Sequence, residues 1–109
     1  KMRKIEESKQ FYQQVYSLSM EDMMDIWIET FHPFGVVLVI WDAGNHFKTL
    51  QECGVLVSEI NAWNSKVLTV ELSNIQNAFQ LMDRIEESDF KPVMHIYDTG
   101  KLVLDNIEP

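Results

Sequence analysis

Apolar positions recur along this chain with two distinct periods. Met20, Met24, Trp27 and Phe31 are spaced four, three and four apart, which places them on one helical face. Ser19 precedes Glu21 and Asp22, so a capping hydroxyl stands ahead of acids in the first turn, where the helix dipole favours them. Pro33 in "HPFG" ends that helix, because the residue before a proline is pushed out of helical geometry. The run "VVLVIW" that follows is almost wholly β-branched and aliphatic, the pattern of a strand buried on both faces. Leu50, Cys53, Val57 and Ile60 return to a three-four-three spacing. They predict a helix from an Asn45 N-cap to about Trp63, weakened at Gly54.

The second half repeats the alternation. "VLTVEL" predicts a strand, and Ser73-Asn74 leads into a helix with Ile75, Phe79, Met82 and Ile85 on one face. Residues 86–89, Glu-Glu-Ser-Asp, close that helix into a loop. Residues 93–97 and 102–104 then read as two strands of a hairpin around Asp98-Thr99-Gly100, with glycine accepting a positive φ. Upstream, residues 11–18 ("FYQQVYSL") predict a short strand through Tyr12, Val15 and Leu18. Residues 1–9 read as an extension before a domain spanning 10–109. The expected order is β-α-β-α-β-α-β-β, an α/β fold. The two central crossovers imply parallel strands, so the sheet is expected to be mixed, with helices on both faces.

Composition narrows the function classes. The chain has 109 residues, 46% of them hydrophobic and twelve aromatic, enough for a packed core. The formal charge is 9 − 17 = −8, which disfavours nucleic acid and anionic membranes and is compatible with a protein partner that has a basic surface. No apolar run approaches the ~20 residues of a membrane span, so membrane insertion is not expected, and no apolar leader segment is visible. The Lys1 start is that expected of a fragment or processed chain. Cys53 is the single cysteine. An internal disulfide is therefore excluded, and a reducing, cytoplasmic setting fits while a secretory lumen is compatible.

The segment "VVLVIWDA", the strand "KVLTVEL", and Pro92 followed by "VMHIYDTGKLVL" occur in that order, with eight residues from Pro92 to Gly100. In this combination the chain resembles the thioredoxin-like superfamily from about Tyr12 onward. The resemblance implies a thioredoxin-like three-layer sandwich with a cis peptide at Lys91–Pro92, and with the family's C-terminal helix absent from this chain. Redox members carry Trp-Cys-Gly-Pro-Cys where this sequence has residues 44–50, Gly-Asn-His-Phe-Lys-Thr-Leu. The attacking cysteine position falls on His46 or Phe47, the resolving one on Thr49 or Leu50, and the family's buried Asp on Ile40. Disulfide exchange requires a thiolate and a second thiol. The resemblance is thus to a redox-inactive member with no cofactor, whose residual groove for an extended peptide comprises Asn45, His46, Phe47, Phe90, Lys91 and Pro92.

The individual candidates are modest. His46 lies near a helix N-terminus, a setting for anions or a general base, with Asp42 its nearest titratable neighbour; a solvated turn histidine is the simpler reading. Cys53 falls on an inner helical face and reads as a small buried hydrophobe. His95, mid-strand, reads as a satisfied interior histidine, and the three histidines lack zinc-ligand spacing. Trp63, flanked by Asn61 and Asn64, is the tryptophan expected to show a face to solvent or a partner. The leading expectation is a non-catalytic protein-interaction module of a larger protein or assembly, with homodimerisation through a sheet face left uncovered. The alternatives are a thiol-handling or glutathione-binding oxidoreductase using Cys53 or His46, and a holdase-like peptide-binding chaperone domain.

Overall fold

The computed structural model describes residues 19–43, 45–63 and 66–106. The extension and the strand expected over residues 11–18 lie outside them. Three helices are described: α1 (Met20–Phe31), α2 (Phe47–Glu52) and α3 (Ile75–Glu87). The strands are β1 (Val36–Trp41), β2 (Ile60–Ala62), β3 (Val67–Leu72), β4 (Met94–Asp98) and β5 (Lys101–Asp105). The described residues form a mixed α/β fold whose five strands run in the order β2-β3-β1-β4-β5.

Local chemistry explains most boundaries. The Ser19 hydroxyl caps α1 by accepting from the Asp22 N–H at 3.1 Å. Asn74 caps α3 in the same way through Asn77 N–H at 2.8 Å. α1 buries Met23, Met24, Trp27 and Ile28, whereas Met20 and Phe31 are exposed. α3 buries Ala78, Leu81, Met82 and Ile85, with Phe79 exposed. Each buried stripe is therefore rotated from the expected one.

Four expectations are corrected here. The helix expected over residues 45–63 stops at Glu52, because Gly54 adopts φ +99° and turns the chain. Its N-cap is His46, not Asn45, and no side chain makes the capping bond. Beyond Gly54 come a 3₁₀ turn (Val57–Glu59) and β2, which pairs with β3 as a hairpin through Ile60↔Val70, Asn61↔Thr69 and Ala62↔Leu68. That additional strand reverses the sense of β3. Among the described residues all the strand pairs are antiparallel, β1 with β3 (Leu38↔Val70) and β1 with β4 (Leu38↔Ile96), so the parallel neighbours expected from the two central crossovers are not found there. No peptide among the described residues is cis, so the expected cis bond at Lys91–Pro92 is trans.

β1 is the centre of the molecule and is covered on both sides. One face joins Leu38, Ile40, Leu68, Val70, Met94 and Ile96 to the buried stripe of α3 and to Leu50 of α2. The other joins Val37, Val39, Trp63, Val67 and Tyr97 to Met24, Trp27 and Ile28 of α1. Apolar surface is instead left open on the edge strand β5, where Leu102, Val103 and Leu104 are exposed. Ile96 pairs with Leu104 and Tyr97 with Leu102, so Val103 bulges out of register. A bulge on a short edge strand beginning with a lysine is a common device against edge-to-edge pairing. Among the described residues, no helix is long and apolar enough to cross a membrane.

Candidate functional site

The corner after β1 and the loop after α3 meet at one place. β1 ends at Trp41, whose N–H donates to the Val93 carbonyl at 2.9 Å; Ala43 N–H donates to the Lys66 carbonyl at 3.1 Å. The first bond holds the corner beside the segment that precedes β4, and the second beside the start of β3. Asp42 takes φ +56°, turning the chain sharply out of the sheet. The His46 N–H donates to the Ala43 carbonyl at 3.0 Å, and α2 begins at the next residue. The His46 ring lands flat on Phe90, with ring centroids 3.9 Å apart and planes 5° from parallel.

Phe90 is held there by Ser88. The Ser88 hydroxyl lies 2.6 Å from the Ile85 carbonyl and 3.2 Å from its own loop's Phe90 carbonyl, and it accepts from the Phe90 N–H at 3.1 Å. One hydroxyl thereby closes the end of α3 and fixes the loop. Asn106 straps the following residues. Its side-chain oxygen accepts from Met94 N–H at 2.7 Å, and its amide donates to the Pro92 carbonyl at 3.0 Å. Lys91 extends away and donates to the Glu86 carbonyl.

The stacked pair forms one wall of a cleft of about 480 Å³ that Thr49, Glu52, Glu87, Ser88 and Asp89 complete. Of the six expected groove residues, the fold brings His46 and Phe90 into contact. Asn45 and Phe47 are exposed on the corner, Lys91 is exposed, and Pro92 is buried beneath the loop; none of these four lines the cleft. The acids Glu52, Glu87 and Asp89 were missed as site residues. The signal available was the acidic run at residues 86–89, which reads equally as an ordinary solvated helix end. Ser88 and Asn106 were missed because their role is set by partners distant in space.

α2 has six residues, about one and a half turns, so its aligned peptide dipoles do not make an anion site of His46. Cys53 is half-buried against the aliphatic core. Burial pushes its thiol pKa up and the Glu52 carboxylate adds to this, against a smaller opposing pull from Arg84. That is the reverse of what an attacking thiolate needs.

His95 is buried as expected but not satisfied: neither ring nitrogen has a hydrogen-bond partner among the described residues. Trp63 is corrected as well. It is 4% exposed, stacked on Trp27 at 5.4 Å and set edge-on to Trp41 at 6.5 Å. Because residues 57–63 form a 3₁₀ turn and strand rather than a helix end, its indole is delivered to the sheet's inner face. Among the described residues, no group of three or more His, Cys, Asp or Glu side chains could hold a metal ion. A second cleft, of about 340 Å³, lies between Gly54, Glu59, Glu71 and Arg84, and the Arg84 guanidinium there donates to the Cys53 carbonyl at 3.5 Å. Comparison with protein-family models, curated proteins and solved structures gives no match for this chain.

Proposed function

We propose that this chain is a non-catalytic protein-interaction module whose cleft between the β1–α2 corner and the α3–β4 loop receives a basic segment of a partner protein. The observation that carries the reading is the His46–Phe90 stack at the wall of a cleft that also presents Glu52, Glu87 and Asp89. A flat aromatic surface beside carboxylates suits an arginine guanidinium, which stacks on rings and bonds carboxylates in one pose. The net charge of −8 steers the same class of partner toward the domain. The raised thiol of Cys53 supports the non-catalytic reading over a thiol-handling one.

The likeness to redox-inactive thioredoxin-like domains belongs to this proposal. In its favour are a central buried strand running into a helical corner, the loop before Pro92 facing that corner, and the terminal hairpin. The antiparallel β1–β3 pair and the trans Lys91–Pro92 bond depart from it.

The test is a titration of the protein with an arginine-containing peptide, an alanine-substituted peptide and an acidic peptide, followed by calorimetry. Binding is expected for the first alone, weakened at least tenfold by Glu87→Lys and by His46→Ala, and reduced by added salt. Equal binding of all three peptides, or indifference to both substitutions, overturns the proposal.

A further inference from the structure

His95 stands in the middle of β4 on the face that α1 covers. In register, Val39 of β1 flanks it on one side and Asp105 of β5 on the other. Its ring lies 6.2 Å from Trp41 and 6.5 Å from Tyr97, centroid to centroid. Only 3% of the residue reaches solvent, and among the described residues neither Nδ1 nor Nε2 has a hydrogen-bond partner. A buried imidazole without partners is costly even when neutral. As an imidazolium it presents two charged donors to an aromatic layer and becomes far more costly.

Charged and titratable groups face it from three elements. α1 supplies Glu21 and Asp25, β5 supplies Asp105, and β4 itself supplies Tyr97, whose hydroxyl donates to Asp25. The carboxylates attract a proton to His95 yet do not reach the ring. The Tyr97–Asp25 bond ties α1 to the sheet one row along from the histidine.

We propose that His95 is an acid-sensitive latch on the α1 layer. The neutral ring lets α1 close over the sheet; the protonated ring requires water or a carboxylate and is accommodated only when that layer opens. Opening brings Trp27 and Trp41 toward solvent and releases the imidazolium toward Asp105 and Asp25.

The sign follows from proton counting. Burial depresses the His95 pKa in the folded state, outweighing the opposite pull of Asp105, Asp25 and Glu21. The unfolded chain, with an ordinary histidine pKa near ~6.5, therefore binds a proton first as pH falls. Stability is fully present above that value and is lost progressively between it and the lower folded pKa.

The experiment follows tryptophan emission and near-ultraviolet circular dichroism from pH 8 to pH 5. Histidine ring resonances are recorded by NMR in the same samples. The expected result is a reversible red shift and loss of near-ultraviolet signal starting below ~6.5, with far-ultraviolet signal largely kept. His95→Phe is expected to remove the transition. His95→Gln, which keeps a polar side chain but cannot titrate, is expected to remove it too, so a failure of one variant to fold does not end the test. His32→Gln and His46→Gln are expected to leave it in place. An unchanged spectrum from pH 8 to pH 5 in the natural protein overturns the proposal. So does a transition that persists in a folded His95 variant, or a His95 ring that titrates at an ordinary pKa.

Discussion

The two faces of the sheet are built from different chemistry although both are buried by the same strand, β1. The face under α3 is aliphatic at its centre: Leu38, Ile40, Val70, Ile96 and Ile85 are all at 0% exposure and carry no side-chain polar atom, with Met82 and Met94 buried beside them and Cys53 and Phe90 packed at the margin. The face under α1 is aromatic and carries polar atoms. Trp27, Trp41, Trp63, His95 and Tyr97 sit together there, and among the described residues the indole N–H groups of Trp27 and Trp41 join the two His95 nitrogens in having no hydrogen-bond partner. Hydrophobic burial of the first kind is indifferent to protons at and below neutral pH, since the thiol of Cys53, half-buried against it, is pushed up by burial and stays protonated there. The second kind gains area from large rings but carries groups whose desolvation is uncompensated. One layer is thus suited to hold the fold together and the other to respond to conditions.

The largest effect that tests this contrast is expected from Leu38→Ala. The side chain is fully buried, so the loss is about 2–5 kcal/mol, transfer plus cavity. The loss should be the same at pH 8 and pH 5.5, as measured by urea unfolding at each. A strongly pH-dependent loss would break the distinction between the faces.

Tyr97→Phe comes next. It removes the hydroxyl that ties α1 through Asp25, and Asp25 remains exposed to water, so the cost is expected at about 0.5–1.5 kcal/mol. Hydrogen exchange should report it in α1 and leave α3 unchanged. Equal acceleration in both helices would show that the faces open as one unit.

The smallest effect is expected from Lys101→Ala at the sheet edge, outside both cores. Its 3.0 Å ion pair with Glu29 joins two side chains more than 60% exposed, so the change is about 0–1 kcal/mol and is erased by salt. A larger loss, insensitive to salt, would mean that the edge supports the aromatic layer.

Much of the scaffold was legible from residue order. β3 was expected at the residues where it forms, β1 was recognised from its unbroken aliphatic run, and the β4–β5 hairpin from alternation around Asp98-Thr99-Gly100. Both long helices were legible from spacing, the first also from its Ser19 cap and the second from the Ser73-Asn74 that leads into it. Their buried faces were less so. Met20, Phe31 and Phe79 fit the spacing but face outward, because which flank of a wide apolar stripe is covered depends on where the sheet lies. The region after Leu50 misled for a related reason. Four apolar residues at helical spacing do not exclude a turn followed by a strand, and the glycine that looked like a weak point inside a helix is its end.

The candidate site was half legible. The meeting of the β1–α2 corner with the loop before Pro92 was expected, and the His46–Phe90 contact lies there. The acidic lining and the two supporting side chains, Ser88 and Asn106, were not. An acid on a helix end looks the same in sequence whether it faces open solvent or a cleft.

By itself, the order of residues determined where the two long helices, β1, β3 and the β4–β5 hairpin form, because period, caps and glycines act over a few neighbouring residues. The direction of β3 was decided only in three dimensions. The short strand β2 turns an expected parallel return into a hairpin, and its three residues become a strand by pairing with β3. The environment of His95 was likewise decided only there. Its neighbours are Trp41, Tyr97 and Asp105, and what it lacks, a hydrogen-bond partner, is a property of how the α1 layer closes over the sheet.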